Sequence, residues 1–340
     1  MGPVRASRGV SQVLGSGIRF GADLLRGRAR LGVAPTAFVR ALFRATRPHF
    51  FVFPALACWA GASASARSAD RTGVILVALA LGVAWAVGQL LNDLFDVEAD
   101  AVDAPDRPAV RGLLPEGPTA FAASLLGLAV AVALSLSHPS GWAMALASAL
   151  LMLAYAPAKA LPLLGNLAHG ALMALLALVG ALVARPAVPL AEVVGATWPT
   201  LAVVGALAAL YLQGNYEKDR DGDAKAGYRT LAHVLGVRGS ALGRVLVATP
   251  LYLAFSGRVA EGAARWAWSA SACMLALSAL ASLRDGARQG ALAGYRFTIH
   301  STVLGLGALA LPFLGLSAAL ALFALATLLF ELAFARSANP

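Results

Sequence analysis

Residues 73–100 read GVILVALALGVAWAVGQLLNDLFDVEAD. An uncharged run over 73–91 leads directly into Asn92, Asp93, Asp96, Glu98 and Asp100. A helix needs about 20 apolar residues to cross the hydrocarbon core, and this run supplies them. Its acidic end decides the rest of the reading. Carboxylates at the edge of hydrocarbon are costly unless paired or metal-bound, so they mark a functional site.

The remainder of the chain repeats the pattern. Its 340 residues are 59% hydrophobic and 13% charged, with a mean hydropathy of +0.74. These values belong to polytopic membrane proteins. Apolar runs long enough to span fall near 49–66, 73–93, 119–137, 140–156, 163–184, 195–215, 240–257, 266–283, 298–315 and 317–335. The fold expected is all-α, a polytopic membrane bundle of nine or ten transmembrane helices. The count turns on the end of the chain, where only Pro312, Gly315 and Ser317 punctuate the last two runs. Residues 317–340 are therefore an extra helix and tail, and residues 1–43 a basic leader. The leader has no apolar core of signal-peptide type. Its stretch 10–31 reads either as an interfacial helix on anionic lipid or as a disordered segment.

Charge placement orients the bundle. With the N-terminus in the cytoplasm and strict alternation, 21 of the 27 Lys and Arg fall on the cytoplasmic side. Five fall opposite: Arg67, Arg71, Arg185, Arg258 and Arg265. That is the positive-inside pattern, expected here of a bacterial inner membrane. The net charge of +10 then reports membrane-side loops, and no nucleic-acid partner is expected. Cys58 and Cys273 lie far apart in apolar runs, which suits neither a zinc site nor a disulfide.

The acids are clustered. Of 17, seven lie within 93–116 and four within 217–223, and both loops fall on the cytoplasmic side. Asp93, Asp96 and Asp100 stand at i, i+3 and i+7; Asn215, Asp219 and Asp223 stand at i+4 steps. Either spacing stacks the side chains on one helix face, where like charges repel without a cation. Two acid-lined helix ends make a hard-cation site of oxygen ligands, and Mg²⁺ suits it because substrate phosphates complete its shell. Glu98, Asp103, Asp106, Glu217 and Asp221 read individually as solvated surface. Arg47, Arg107, Arg111, Lys159, Lys218, Arg220, Lys225 and Arg229 accompany the acids. Magnesium with converging Lys and Arg holds a diphosphate and stabilises it as a leaving group. Span two ends in the first cluster and span six in the second, a coarse internal echo of a four-helix unit.

The run Asn92-Asp93-x-x-Asp96-x-x-x-Asp100 followed by Asp106-Arg107-Pro108 resembles the first signature of the UbiA-type intramembrane prenyltransferases. Asp219-x-x-x-Asp223-x-x-x-Gly227-x-x-Thr230-Leu231 resembles their second. Thr46-Arg47-Pro48, Tyr155-x-x-x-Lys159 and Gly165-Asn166 agree, and the resemblance covers residues 44–316. It implies helices around a central cavity capped on the cytoplasmic side, with two Mg²⁺ bridging the motifs to a prenyl diphosphate. By position it implies Asn92, Asp96, Asp219 and Asp223 as main metal ligands, with Asp93 and Asp100 in support. Arg47, Arg107, Lys159, Lys218 and Asn215 become diphosphate contacts. Asp96, Asp219, Lys159 and Tyr155 become the catalytic set. Tyr155, Tyr211, Tyr216 and Phe50 are offered to face a cation-like prenyl C1, against the plainer reading of interface anchors. The five histidines read as packing residues.

The implied partners are a prenyl diphosphate, a lipophilic acceptor and membrane lipid. An aromatic quinone precursor is expected first as acceptor. The segment 103–108 looks more like the branch that also acts on tetrapyrroles and glyceryl phosphates. Two other classes compete. An ion-coupled transporter would place acids mid-span, where only Glu331 qualifies. A CDP-alcohol phosphotransferase would carry an Asp-Gly-x-x-Ala-Arg run, which is absent from the sequence.

Overall fold

The computed structural model describes residues 9–65, 71–285 and 288–336. Among these every regular element is helical. Two N-terminal helices, α1 (Val10–Leu25) and α2 (Pro35–Ala45), precede the bundle. The apolar runs become α3 (Val52–Ser65), α4 (Arg71–Phe95), α6 (Glu116–Ser137), α7 (Gly141–Ala158), α8 (Leu164–Ala184), α9 (Leu190–Lys218), α11 (Leu231–Ser256), α12 (Ala263–Asp285), α13 (Arg288–Leu314) and α14 (Leu316–Arg336). Between them lie two short helices, α5 (Val97–Asp103) and α10 (Arg220–Lys225). Among the described residues eight helices are long and apolar enough to cross a membrane; Val52–Ser65 and Gly141–Tyr155 are apolar but shorter. Arg67 and residues 1–8 of the leader lie outside the described residues.

The leader's helix α1 is not a free segment. It packs on α6, where Gly17 abuts Ala120 and Gly21 abuts the Phe121 ring. The span expected at 240–257 begins earlier, at Leu231. Gly236 (φ 68°, ψ 170°) breaks the helix there, and glycine reaches that conformation at no steric cost.

Helix α3 sits at the centre, packed on α4, α8, α9 and α13. Its contact with α8 is backbone to backbone: a Cβ on Gly61 would collide with the Ala177 carbonyl, and one on Gly180 with the Cys58 carbonyl. Small residues at such a crossing replace the hydrophobic drive that lipid removes. A second seam, between α12 and α13, is polar. Ser278 Oγ donates to the Gly294 carbonyl at 2.7 Å, and Ser271 Oγ to the Ser301 carbonyl at 2.7 Å. By contrast α14 is only 11% buried over its apolar window. It is held by Phe330, which is fully buried against His49, Phe50 and Phe53, and by Glu331, which pairs with Arg296 and His300 of α13. Glu331, the acid expected mid-span, thus lies toward the C-terminal end of α14 and is paired at a helix seam.

Candidate active site

Both acidic clusters form in the same way. A long apolar helix ends, one aspartate takes bridge-region torsions, and a short helix continues. Asp96 (φ −95°, ψ 12°) separates α4 from α5; Asp219 (φ −94°, ψ 9°) separates α9 from α10. The bridge region is sparsely populated and recurs at active sites. Each i→i−4 bond survives the break, Asp96 N to the Asn92 carbonyl at 2.8 Å and Asp219 N to the Asn215 carbonyl at 3.0 Å. The expected face is therefore kept but bent, and the echo between spans two and six extends to this backbone detail.

The bends let α5 and α10 lie against each other. Asp103 Oδ2 accepts the Gly222 N–H at 2.7 Å, and the Asp103 carbonyl accepts from Arg288 Nη2 at 2.8 Å. Gly222 is required at this approach, because a Cβ there would meet the Ala99 carbonyl at 2.6 Å. Asp103 is 5% exposed and Glu217 2%, so both differ from the solvated reading. Burial of each is compensated by specific donors, which a linear sequence does not display. Glu98, Asp106 and Asp221 do face outward.

The two clusters meet in one cavity. Its polar end is lined by Asn92, Asp96, Asp100, Asp103, Asn215, Asp219 and Asp223, with Arg47, Arg107, Lys159 and Lys218. Its apolar depth is lined by Phe50, Trp85, Tyr155, His169, Leu172, Leu176 and Tyr211. Asp93 stands one layer back, 1% exposed, pairing with Arg47 and lying 3.8 Å from Arg107. Tyr216 also stands behind the wall, its hydroxyl donating to the Tyr155 hydroxyl at 3.3 Å. His169 is a packing residue of the wall, ringed by Trp85, Tyr155 and Tyr211. Arg111, Lys225 and Arg229 are exposed, and Arg220 pairs with Asp221 at the surface.

Every acid in the cavity meets a cation or a donor. Lys159 Nζ donates to Asp96 Oδ2 at 2.7 Å and lies 3.5 Å from Asp223 Oδ1. Tyr228 Oη donates to Asp96 Oδ1 at 2.9 Å, and its ring lies 4.5 Å from Lys159 Nζ. Arg107 pairs with Asp100. Lys218 Nζ donates to Asp219 Oδ1 at 2.6 Å and Asn215 Nδ2 to Asp219 Oδ2 at 3.0 Å. Arg47 occupies the left-handed region (φ 47°, ψ 64°), which carries its guanidinium to Gln89 and Asp93 of α4. Such torsions in a non-glycine residue cost about 1–2 kcal/mol and cluster at functional sites. His233 braces the second loop. Its Nε2 donates to the Arg220 carbonyl at 2.8 Å, and its Nδ1 lies 2.9 Å from Thr230 Oγ1.

Burial dominates the acid–base properties. It pushes Asp223 up to about 7, with Lys159 opposing and Asp219 and Asp96 adding to the rise. It pushes Asp100 up to about 6, opposed by Arg107. Against the same burial, Lys218 and Arg107 hold Asp219 below the usual carboxylate range.

One oxygen each of the cavity residues Asp100 and Asp223 is buried without a hydrogen-bond partner. Buried carboxylate oxygens of that kind fit a hard divalent cation. Among the described residues no three acidic, histidine or cysteine side chains yet converge on a common metal position. Lys159 and Arg107 stand between them instead and supply the compensating charge.

His233 is a packing residue as expected; Tyr228, Gln89 and the buried partner of Glu217, Arg244, lie outside the site residues read from sequence. Tyr228 falls inside the second motif at a position the spacing leaves open. The others are joined to the site only by tertiary contacts.

The profile of the UbiA prenyltransferase family matches residues 51–301. A digeranylgeranylglyceryl phosphate synthase from Thermococcus gammatolerans is 34% identical over 210 residues, 60% of this chain and 72% of that protein. One from Methanoregula boonei is 32% identical over 215 residues, 60% and 71% of the two chains. Among solved structures, a UbiA homologue from Aeropyrum pernix K1 superposes with a TM-score of 0.63 at 20% identity, covering 74% of this chain and 94% of its own. A UbiA homologue from Archaeoglobus fulgidus bound to GPP and Mg²⁺ gives 0.53 at 17% identity, covering 84% and 99%. These two share the fold. The family match and the sequence relatives go further: the chain belongs to the UbiA prenyltransferase family and is an integral membrane prenyltransferase.

Proposed function

We propose that the chain transfers a prenyl group from an allylic polyprenyl diphosphate to the hydroxyl of a glyceryl phosphate lipid, with Mg²⁺, releasing diphosphate. The observation that carries the acceptor is the group of relatives at about 30% identity named digeranylgeranylglyceryl phosphate synthase. This reading replaces the aromatic quinone precursor expected first. The four cavity cations, Arg47, Arg107, Lys159 and Lys218, also suit two phosphate-bearing substrates better than one.

Asn92, Asp96, Asp219 and Asp223 are the proposed metal ligands, with Asp100 in support. Asp93 acts through Arg47 and Arg107, which it holds in place. Bound Mg²⁺ would supply Lewis-acid neutralisation of the diphosphate charge. Lys159, Lys218, Arg47 and Arg107 donate to the diphosphate oxygens as the C1–O bond breaks and its electron pair leaves with diphosphate. The acceptor hydroxyl oxygen forms the new bond to C1, and its proton passes to the departing diphosphate. Phe50, Tyr155 and Tyr211 offer ring faces to the electron-poor C1. The apolar depth of the cavity takes the isoprenoid tail. The excess of Lys and Arg on the side of the motifs supports a cytoplasmic site.

The test offers radiolabelled geranylgeranyl diphosphate to purified protein with geranylgeranylglyceryl phosphate, 4-hydroxybenzoate or a dihydroxynaphthoate. Transfer to the glyceryl phosphate, abolished by EDTA and restored by Mg²⁺, is expected. Transfer to an aromatic acceptor alone would overturn the acceptor reading.

A further inference from the structure

Directly behind the second acidic cluster lies a buried ion pair that the proposed chemistry does not use. Glu217 of α9 and Arg244 of α11 are each 2% exposed. Arg244 donates Nε to Glu217 Oε1 at 2.9 Å and Nη2 to Oε2 at 2.8 Å. Its Nη1 donates to Ser278 Oγ and to Thr298 Oγ1, both at 2.7 Å, and Nη2 also reaches Ser282 Oγ at 3.5 Å. All five guanidinium N–H groups are thereby directed at acceptors. The carboxylate accepts further bonds from Ser240 Oγ at 2.7 Å and Ser282 Oγ at 3.2 Å. Four helices, α9, α11, α12 and α13, meet at this one pair.

The pair continues one turn back. Gln213 donates to Ser240, and Asn166 of α8 donates to Gln213 Oε1 at 3.1 Å. Gln213 and Glu217 are at i, i+4 on α9; Ser240 and Arg244 are at i, i+4 on α11. Two matching stripes therefore interlock the last turns of α9 with α11. Such a ladder fixes the rotation of α9 about its own axis. Successive residues on a helix point about 100° apart. Holding Glu217 in the seam therefore turns Lys218 and Asp219 toward the cavity, where both are lining residues.

Resting on the metal-site reading above, we propose that Glu217 and Arg244 are positioning residues that set the orientation of Lys218 and Asp219 for metal and diphosphate. Stability alone gives no reason for such a pair. A buried ion pair replaced by apolar residues of similar volume is often neutral or stabilising, whereas registry is the best-attested use of buried charge. No other buried charge pair among the described residues lies outside the cavity.

The test separates packing from positioning. The double variant Glu217→Leu/Arg244→Met keeps volume and removes both charges together. Its thermal unfolding, its Mn²⁺ binding by electron paramagnetic resonance with an inert geranylgeranyl thiodiphosphate bound, and its kcat and KM are compared with wild type. The expected result is a melting temperature near wild type, a weakened Mn²⁺ affinity, and a kcat lower by ~10–100-fold with the acceptor KM unchanged. Glu217→Asp, which keeps both charges but draws the carboxylate back by one methylene, carries the same measurements if the double variant does not fold. A folded variant with wild-type Mn²⁺ affinity and kcat overturns the proposal. If wild type itself binds no Mn²⁺, the metal-site reading fails and the proposal falls with it; weakened binding in the variants alone cannot arise that way.

Discussion

Replacing Gly222 by alanine adds one methyl group at the contact between the two acidic motifs. That methyl would collide with Asp103 Oδ2 and lie 2.6 Å from the Ala99 carbonyl, where ordinary contact begins at 3.4 Å. Helices α5 and α10 must then part by roughly 1 Å, since neither backbone nor a hydrogen-bonded carboxylate yields cheaply. Two costs follow. Overpacking costs about 1–3 kcal/mol. Weakening the 2.7 Å bond from Gly222 N–H to the Asp103 carboxylate costs about 1.5–3 kcal/mol if the bond is lost. Asp223, the next residue, moves with α10 relative to Asp96 and Asp100 on the other motif. A displacement of 1 Å at a reacting centre costs about 100-fold in rate. Gly222→Ala is therefore expected to melt earlier and to lose about two orders of magnitude in kcat. Initial rates of prenyl transfer under saturating Mg²⁺, alongside thermal unfolding in detergent, check both. Gly257→Ala is the control, because nothing lies within 4 Å of its added methyl and its φ of −70° is ordinary. Gly222→Ala turning over at the wild-type rate with an unchanged melting temperature would refute the claim that this contact sets the spacing of the motifs.

Lys159→Met removes the ammonium that Asp96 and Asp223 share; Mg²⁺ binding without substrate is expected to persist while transfer falls ~100–1,000-fold, read by calorimetry against initial rates. The metal-free protein is expected to be less stable at pH 8 than at pH 5. Burial raises Asp100 to about 6 and Asp223 to about 7, so the native state holds protons that the unfolded chain has lost, and stability falls as pH rises through that window. The same protons compete with metal, so the Mg²⁺ midpoint should rise as pH drops below about 7; melting curves in EDTA and Mg²⁺ titrations from pH 5 to 8 measure both effects. Gly61→Ala, which drives a methyl into the Ala177 carbonyl at the α3–α8 crossing, should destabilise the whole bundle and lower the yield of folded protein.

The apolar runs disclosed most of the architecture because a membrane helix must satisfy its own backbone, leaving length and hydropathy as a direct record of each span. The record fails where a helix is held by protein rather than lipid. The run 49–66 reads as a full span, yet the helix that forms there, Val52–Ser65, has only 14 residues, and it is the central helix because glycines at 61 and 180 let α8 approach. The two motifs were legible because like charges stacked at helical spacing repel unless a cation sits among them. Their compensation was not. Glu217 and Asp103 look like their exposed neighbours Asp221 and Asp106 in sequence. What buries them is Arg244, far along the chain on α11, and a backbone N–H on α10. Tyr228 was hidden for the same reason, since its bond to Asp96 joins residues 132 apart.

Whether the two distant acidic clusters form one metal–diphosphate site is tested most directly by calorimetric titration of Mg²⁺ into the protein with an inert geranylgeranyl thiodiphosphate bound. Wild type, Asp96→Asn and Asp219→Asn are compared. Loss of the Mg²⁺ heat in both variants, each altered in a different cluster and each melting like wild type, is the predicted result. Undiminished Mg²⁺ binding in either variant would contradict the single shared site.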